Sequence, residues 1–233
     1  MHKKKTFLGI IPARSGSKRI LNKNKRILNG KPLIRWSINA AKKSKYIDSI
    51  VVSSDDDQIL SIAQEQDVDI LKRPDFLASN TSTTVDVLLH TLEKIEDTFD
   101  YLVLLQPTSP LRTSLDIDQA IEMLIDRETN SVVSVCQTQH SPLWCNTLPE
   151  SGIMDNFMSK SLEGKRSQDL ETYYRLNGAI YIVKISKFIK EKSLMPNNTY
   201  AYVMDQFNSI DIDTLYDFIC AEAIMKNRVD DEL

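Results

Sequence analysis

Only three cysteines occur in the 233 residues, Cys136, Cys145 and Cys220, and no two form a CxxC pair. An odd, widely spaced set shows no disulfide framework and suits a reducing cytoplasm. Glycine is scarce too, with six in the whole chain. Neither GxxxxGK[ST] nor GxGxxG is present, so the common glycine cradles for phosphate are absent. Of three histidines, His140 stands alone, with no second histidine near it and no CxxC pair, which argues against a metal site there. No run approaches the ~18 apolar residues of a membrane span. The opening Met1–Lys5 and the apolar residues after it imitate a secretory leader. That run is minimal, however, and meets Pro12 and Arg14 instead of a small-residue cleavage site. With a net charge of −3 and pI near 5.7, there is no overall nucleic-acid footprint. Internal repeats and low-complexity segments are also missing.

Positive charge is present but local. Phe7 to Ile11 reads as a buried strand, and the loop after Pro12 carries Arg14, Lys18, Arg19 and Lys23, with Lys25 and Arg26 just beyond. Backbone N–H groups around Ser15-Gly16-Ser17, with Arg14, Lys18 and Lys23 converging on them, suit a polyanion such as a triphosphate. The cations would do what glycine backbone does elsewhere. Taken alone, such a loop is more commonly a solvated basic turn.

Strand and helix periods alternate downstream. Leu33, Ile34, Ile38 and Ala41 recur at helical spacing after Pro32. Ile50–Ser54 is a β-branched strand ending in Asp55-Asp56-Asp57; a helix through Ile59, Leu60 and Ala63 and a brief strand at 67–71 follow. A polar loop, 78–84, precedes an amphipathic helix through Val85, Leu88, Leu89, Leu92 and Ile95, and suits its N-cap. Tyr101–Leu105 is apolar on both faces, as a central strand is, and Pro107 and Pro110 stop it. Ile117 to Ile125 is a further apolar helical stripe, and 131–135, 179–182 and 200–204 read as strands. The alternation predicts parallel βαβ units in one α/β domain spanning 1–233. Ligands in such sheets bind beyond the carboxyl ends of strands, where the basic loop and Asp55 both fall.

From about 136 to 173 the period is lost. Trp144, Ile153, Met154 and Phe157 have no evident face to bury on, so this stretch is expected to leave the sheet and pack on a second subunit. Near the end, Asn208 to Asp213 alternates Ile with Asp. As a strand it would project Asp211 and Asp213 to one side, where two carboxylates repel unless a cation such as Mg²⁺ lies between them. The competing role for Asp213 is the N-cap of the helix that begins near Leu215. The tail from Arg228 is polar and expected to fray.

Five separated segments, in order, resemble the CMP-sugar synthetases: 10–24, 73–84, 106–112, 173–182 and 208–213. The loop Ile-Pro-Ala-Arg-Ser-Gly-Ser-Lys-Arg with Lys23-Asn24 carries the resemblance most strongly. It implies a three-layer, Rossmann-like nucleotide-diphospho-sugar transferase fold with a mostly parallel sheet. It implies transfer of CMP from CTP to the anomeric hydroxyl of a nonulosonic acid, N-acetylneuraminate first, with legionaminate, pseudaminate or a KDO-type acid as alternatives. By resemblance, Arg14, Ser17, Lys18, Lys23, Asn24, Arg73, Ser82 and Thr84 bind CTP. Gln106, Thr108, Arg166, Arg175, Asn177 and Tyr181 face the sugar. Either arginine would suit the sugar carboxylate, or be a surface or interface residue instead. Arg112 is expected either at the site or in a salt bridge. Asp211 and Asp213 hold Mg²⁺ (or Mn²⁺), and Arg14, Lys23 and Asp211 are the catalytic set. The resemblance further implies a homodimer built by the 136–173 excursion, cytoplasmic location, a role in cell-surface polysaccharide synthesis, and neither nucleic acid nor membrane as partner. A regulator that kept the pocket and lost catalysis is the rival from another class.

Overall fold

Period-two burial in the first strand sets the architecture. In β1 (Phe7–Pro12), Phe7 and Ile11 join one apolar cluster while Leu8 and Ile10 join another, so both faces of this strand are covered. The computed structural model describes residues 5–79 and 81–228; the basic start, Asn80 and the tail beyond Arg228 lie outside the described residues. After β1 comes a small hairpin, β2 (Ile27–Leu28) and β3 (Lys31–Pro32). Its Asn29-Gly30 turn has φ 44° and 80°, the mirror-image turn that suits a hairpin. Then follow α1 (Leu33–Lys43), β4 (Ile47–Ser54), α2 (Asp57–Gln64), β5 (Asp69–Lys72), α3 (Thr84–Lys94) and β6 (Tyr101–Leu104). The remainder is α4 (Ser114–Asp126), β7 (Ser131–Gln137), β8 (Tyr174–Lys184), α5 (Ile185–Glu191), β9 (Thr199–Val203) and α6 (Leu215–Asn227).

Among the described residues the main sheet has seven strands in the order β5-β4-β1-β6-β8-β7-β9. The β5–β4, β4–β1, β1–β6 and β7–β9 pairs are parallel, and β8 runs antiparallel to both its neighbours. Helices α1, α2 and α4 cover one face through Ile38, Ile59 and Ile121; α3 and α5 cover the other through Leu88 and Phe188. This is the expected three-layer, mostly parallel α/β fold.

A third cluster positions the site. Ile20 from the basic loop, Leu33 and Trp36 from α1, Ile212, and Phe218 from α6 pack together. Burying a side chain of this size contributes roughly 1.5–3 kcal/mol. Ile20 and Ile212 therefore draw the basic loop and the late acidic segment to the same end of the sheet.

Several local expectations are corrected. Residues 209–213 are not a strand: a single 3₁₀ turn, Gln206–Asn208, gives way to irregular chain, and Ile212 N donates to Thr108 O at 2.8 Å. Asp213 does not cap α6. Thr214 does, in a reciprocal capping box with Asp217. The excursion is narrower than expected, because β7 runs through Gln137 and β8 begins at Tyr174. In between are three 3₁₀ turns, with Leu148, Ile153 and Met154 exposed. The hairpin and α5 were not anticipated.

Candidate active site

The carboxyl ends of β1, β5 and β6 open into a cleft of about 480 Å³. One wall is the basic loop, which contributes Arg14, Ser17, Lys18, Arg19, Lys23 and Asn24. Asn24 is buried and donates from Nδ2 to the Arg14 carbonyl at 2.9 Å, closing the loop on itself. The Ser15 N–H donates to Asp55 Oδ1 at 3.0 Å, and its hydroxyl donates to Asp55 Oδ2.

The opposite wall holds Arg73, Ser82, Thr83 and Thr84. Arg73 is 4% exposed and donates to the Ser53 carbonyl at 2.7 Å. Burial lowers its pKa, Asp55 opposes that shift, and Arg14 adds to it. Thr83 caps α3 in a box with Asp86, so the turn before the helix is rigid where it meets the cleft. The buried Ser82 hydroxyl has no hydrogen-bond partner among the described residues, which is a polar group left for a ligand.

Gln106, Pro107 and Thr108 form the floor beside Asp213. The Gln106 carbonyl accepts from Ser37 Oγ at 3.1 Å and from Arg112 Nη1 at 3.3 Å. Arg112 is 1% exposed, and Nη1 also donates to the Ala179 carbonyl at 2.9 Å. Burial brings its pKa down to about 10, with Asp116 opposing. Arg112 thus braces the turn from behind through carbonyls, not through a contact with the cleft.

Asp211 lies next to this floor. Burial raises its carboxyl pKa and Asp213 adds to the rise, while a hydrogen bond from Thr108 and the charges of Lys23 and Arg175 oppose it. Lys23 Nζ donates to the Ile212 carbonyl at 2.6 Å and stands 3.4 Å from Asp213 Oδ1; Arg19 reaches Asp213 Oδ2 at 2.9 Å. Gly178, at φ +72°, is what lets Gln106 and Asp211 approach. A Cβ there would lie 3.2 Å from Gln106 Oε1 and 3.4 Å from Asp211 Oδ2. Tyr181, on the same strand, has its pKa raised by burial and by Asp211.

Most of the residues expected at the site are therefore brought together. Two are not. Asn177 is buried, and its amide is used up by Ser134, Met204 and Ser209, so it serves the core and not a sugar. Arg166 is exposed on the excursion and does not line the cleft. Arg175 stays close, donating to the Ser209 carbonyl at 3.2 Å. Arg19 and Thr83 were missed. Arg19 stood in the basic loop already, and Thr83 lies between Ser82 and Thr84, the two hydroxyls expected at CTP. Among the described residues no group of three metal-binding side chains exists. Asp211 and Asp213 are close enough for the charge of one to act on the other, and a pair of carboxylates fits Mg²⁺, which takes one or two and completes its shell with water and phosphate.

Residues 8–210 match the family described as Cytidylyltransferase. An N-acylneuraminate cytidylyltransferase of Streptococcus agalactiae serotype V is 38% identical over 212 residues, covering 90% of this chain and 51% of that one. This chain thus spans about half the length of the streptococcal relatives it matches. A CMP-N,N'-diacetyllegionaminic acid synthase of Legionella pneumophila is 38% identical over 232 residues, covering 94% of this chain and 96% of that one. Among solved structures, a CMP:2-keto-3-deoxy-manno-octonic acid synthetase complexed with CTP superposes with a TM-score of 0.72 at 16% identity, covering 97% of this chain and 100% of that one. At that identity the likeness is one of fold.

Proposed function

This chain belongs to the cytidylyltransferase family, and from that premise we propose that it transfers CMP from CTP to the anomeric hydroxyl of a nonulosonic acid, releasing pyrophosphate. The observation that carries the reading is the meeting of the basic loop and the acidic segment in one cleft, with Lys23 bonded to the Ile212 carbonyl and close to Asp213. A magnesium triphosphate needs both signs of charge there.

In this reading Arg14, Lys18 and Lys23 bind the triphosphate and stabilise charge building on the leaving pyrophosphate. Ser17 and Asn24 shape the loop around it. Arg73, Ser82 and Thr84 bind the cytosine. Gln106, Thr108, Arg175 and Tyr181 face the sugar, with the Arg175 guanidinium matched to its carboxylate. Asp211 and Asp213 would hold Mg²⁺ or Mn²⁺, which supplies charge neutralisation on the phosphates. Direct in-line displacement asks for positioning more than for a covalent nucleophile, and none is needed from the chain. The exposed apolar residues of the 138–173 excursion support a homodimer. A reaction that consumes CTP supports a cytoplasmic enzyme that supplies activated sugar for surface polysaccharide.

Two acceptors are favoured by the relatives. The streptococcal proteins are named for N-acylneuraminate, and the Legionella protein that matches nearly end to end is named for N,N'-diacetyllegionaminate. Pyrophosphate release from CTP and Mg²⁺ should be measured against N-acetylneuraminate, N,N'-diacetyllegionaminate, pseudaminate and KDO. Release with at least one nine-carbon acid is expected. CTP binding by calorimetry without turnover on any of them would instead make the chain a nucleotide-binding regulator.

A further inference from the structure

We propose that Asp55 is a positioning residue for the nucleotide, clamping the Ser15 turn of the basic loop and tying it, through the end of β4, to Arg73 on the opposite wall. This rests on the nucleotide reading above and adds to it a residue that lies outside the cleft lining.

A carboxylate beside a polyanion site is at first sight a liability, since like charges this close disfavour the bound state. Asp55 escapes that objection because both its oxygens are engaged. Oδ1 accepts from the Ser15 N–H at 3.0 Å and Oδ2 accepts from the Ser15 hydroxyl. Such bonds to an ionised acceptor are the strong ones. Helix initiation does not explain the residue either. The α2 N-cap is Asp56, which accepts from Gln58 N at 2.8 Å and Ile59 N at 3.3 Å.

The three residues Ser53–Asp55 form a hub. The Ser53 carbonyl accepts from Ala13 N at 2.9 Å on the loop side and from Arg73 Nη2 at 2.7 Å on the base side. The Ser54 carbonyl accepts from Arg73 N at 2.8 Å, and the Asp55 carbonyl accepts from Lys72 Nζ at 2.8 Å. Asp55 also offsets the mutual repulsion of Arg14 and Arg73, which face one cleft with like charge. Its two jobs converge: it fixes the loop bearing Arg14 and supplies the counter-charge that lets Arg14 and Arg73 share a pocket before CTP arrives.

The sign of the effect separates this role from simple electrostatics. Deleting a negative charge that acted only through space would tighten CTP, whereas deleting a clamp loosens it. CTP should be titrated calorimetrically into the wild-type chain and into Asp55→Asn with Mg²⁺ and no sugar, followed by steady-state kinetics on both substrates. We expect CTP to bind about tenfold more weakly to the variant. The sugar KM and the kcat at saturating CTP should change by less than twofold. Adding Ser15→Ala to Asp55→Asn should weaken CTP no further, because both changes cut the same link. Equal or tighter CTP binding by Asp55→Asn overturns the proposal, as does an equal loss for both substrates with a lowered melting temperature. If Asp55→Asn does not fold, Ser15→Ala alone removes one of the two bonds and should weaken CTP about threefold; unchanged binding then overturns it. A wild-type chain that binds no CTP in this titration defeats the nucleotide reading itself, a distinct result.

Discussion

Lys23 and Asp213, 190 residues apart in the chain, stand 3.4 Å from one another, and the same ammonium donates to the Ile212 carbonyl at 2.6 Å. The Lys23 side chain is only 13% exposed, so its charge is held in place by these partners and is less screened than a surface lysine. A single cation thus bridges the loop that should take phosphate and the segment that should take metal.

Lys23→Ala should weaken CTP at least tenfold by calorimetry while leaving the sugar KM within about twofold, since one charge-assisted contact is worth roughly 1.5–3 kcal/mol. An unchanged CTP affinity would remove Lys23 from the phosphate site.

Asp211→Asn should cost turnover on the order of 10² or more, unrepaired by excess Mg²⁺, while the fold persists. Its effect on stability has the opposite sign. Burial, then Asp213, raises the native carboxyl pKa above its unfolded value, so ionisation disfavours the native state. That penalty is absent below the ordinary carboxylate range and grows as pH rises through the native pKa. Without metal, the variant should melt higher than wild type at pH 7.5, and the gap should close by pH 4. A variant that melts lower at pH 7.5 would show that Lys23, Arg175 and Thr108 outweigh burial.

Gly178→Ala should destabilise by about 1–2 kcal/mol in a urea melt, because an alanine at φ +72° is strained. Its Cβ would also press Gln106 Oε1 at 3.2 Å and crowd Asp211. The sugar KM should rise several-fold with CTP affinity held. Loss of CTP binding with an unchanged sugar KM would instead place Gln106 on the nucleotide side.

Where the chain carries its own period, the fold could be read directly. Phe7–Ile11 and Tyr101–Leu105 are apolar on both faces because helices cover both, and the stripes of α3 and α4 bury as their spacing requires. The hydroxyl cluster before α3 was legible as a cap, and Thr83 is that cap. Elsewhere distant partners decide the conformation. Ile210 and Ile212 alternate with aspartates as a strand would, yet they pack into the cluster of Ile20 and Phe218, with Ile212 N bonded to Thr108 O. Period alone does not separate these cases. Asn177 and Arg112 are polar residues in site-like segments whose partners are a buried serine pair and two backbone carbonyls. Nothing adjacent in the chain marks them as interior. The seven residues of α5 were too few for a helical period to emerge.

Strand β8 is synthesised after β7 yet lies between β7 and β6. Until residues 174–184 are available, neither neighbour has its ladder on that side, and both present hydrogen-bonding edges open to other chains. Closure must await a segment more than thirty residues beyond Gln137, a non-local step of the kind that slows folding. A nascent or truncated chain stopping within the excursion would carry β6 with one bare edge and β7 with neither of its partners, since β9 also follows, which exposes that interval of translation to aggregation.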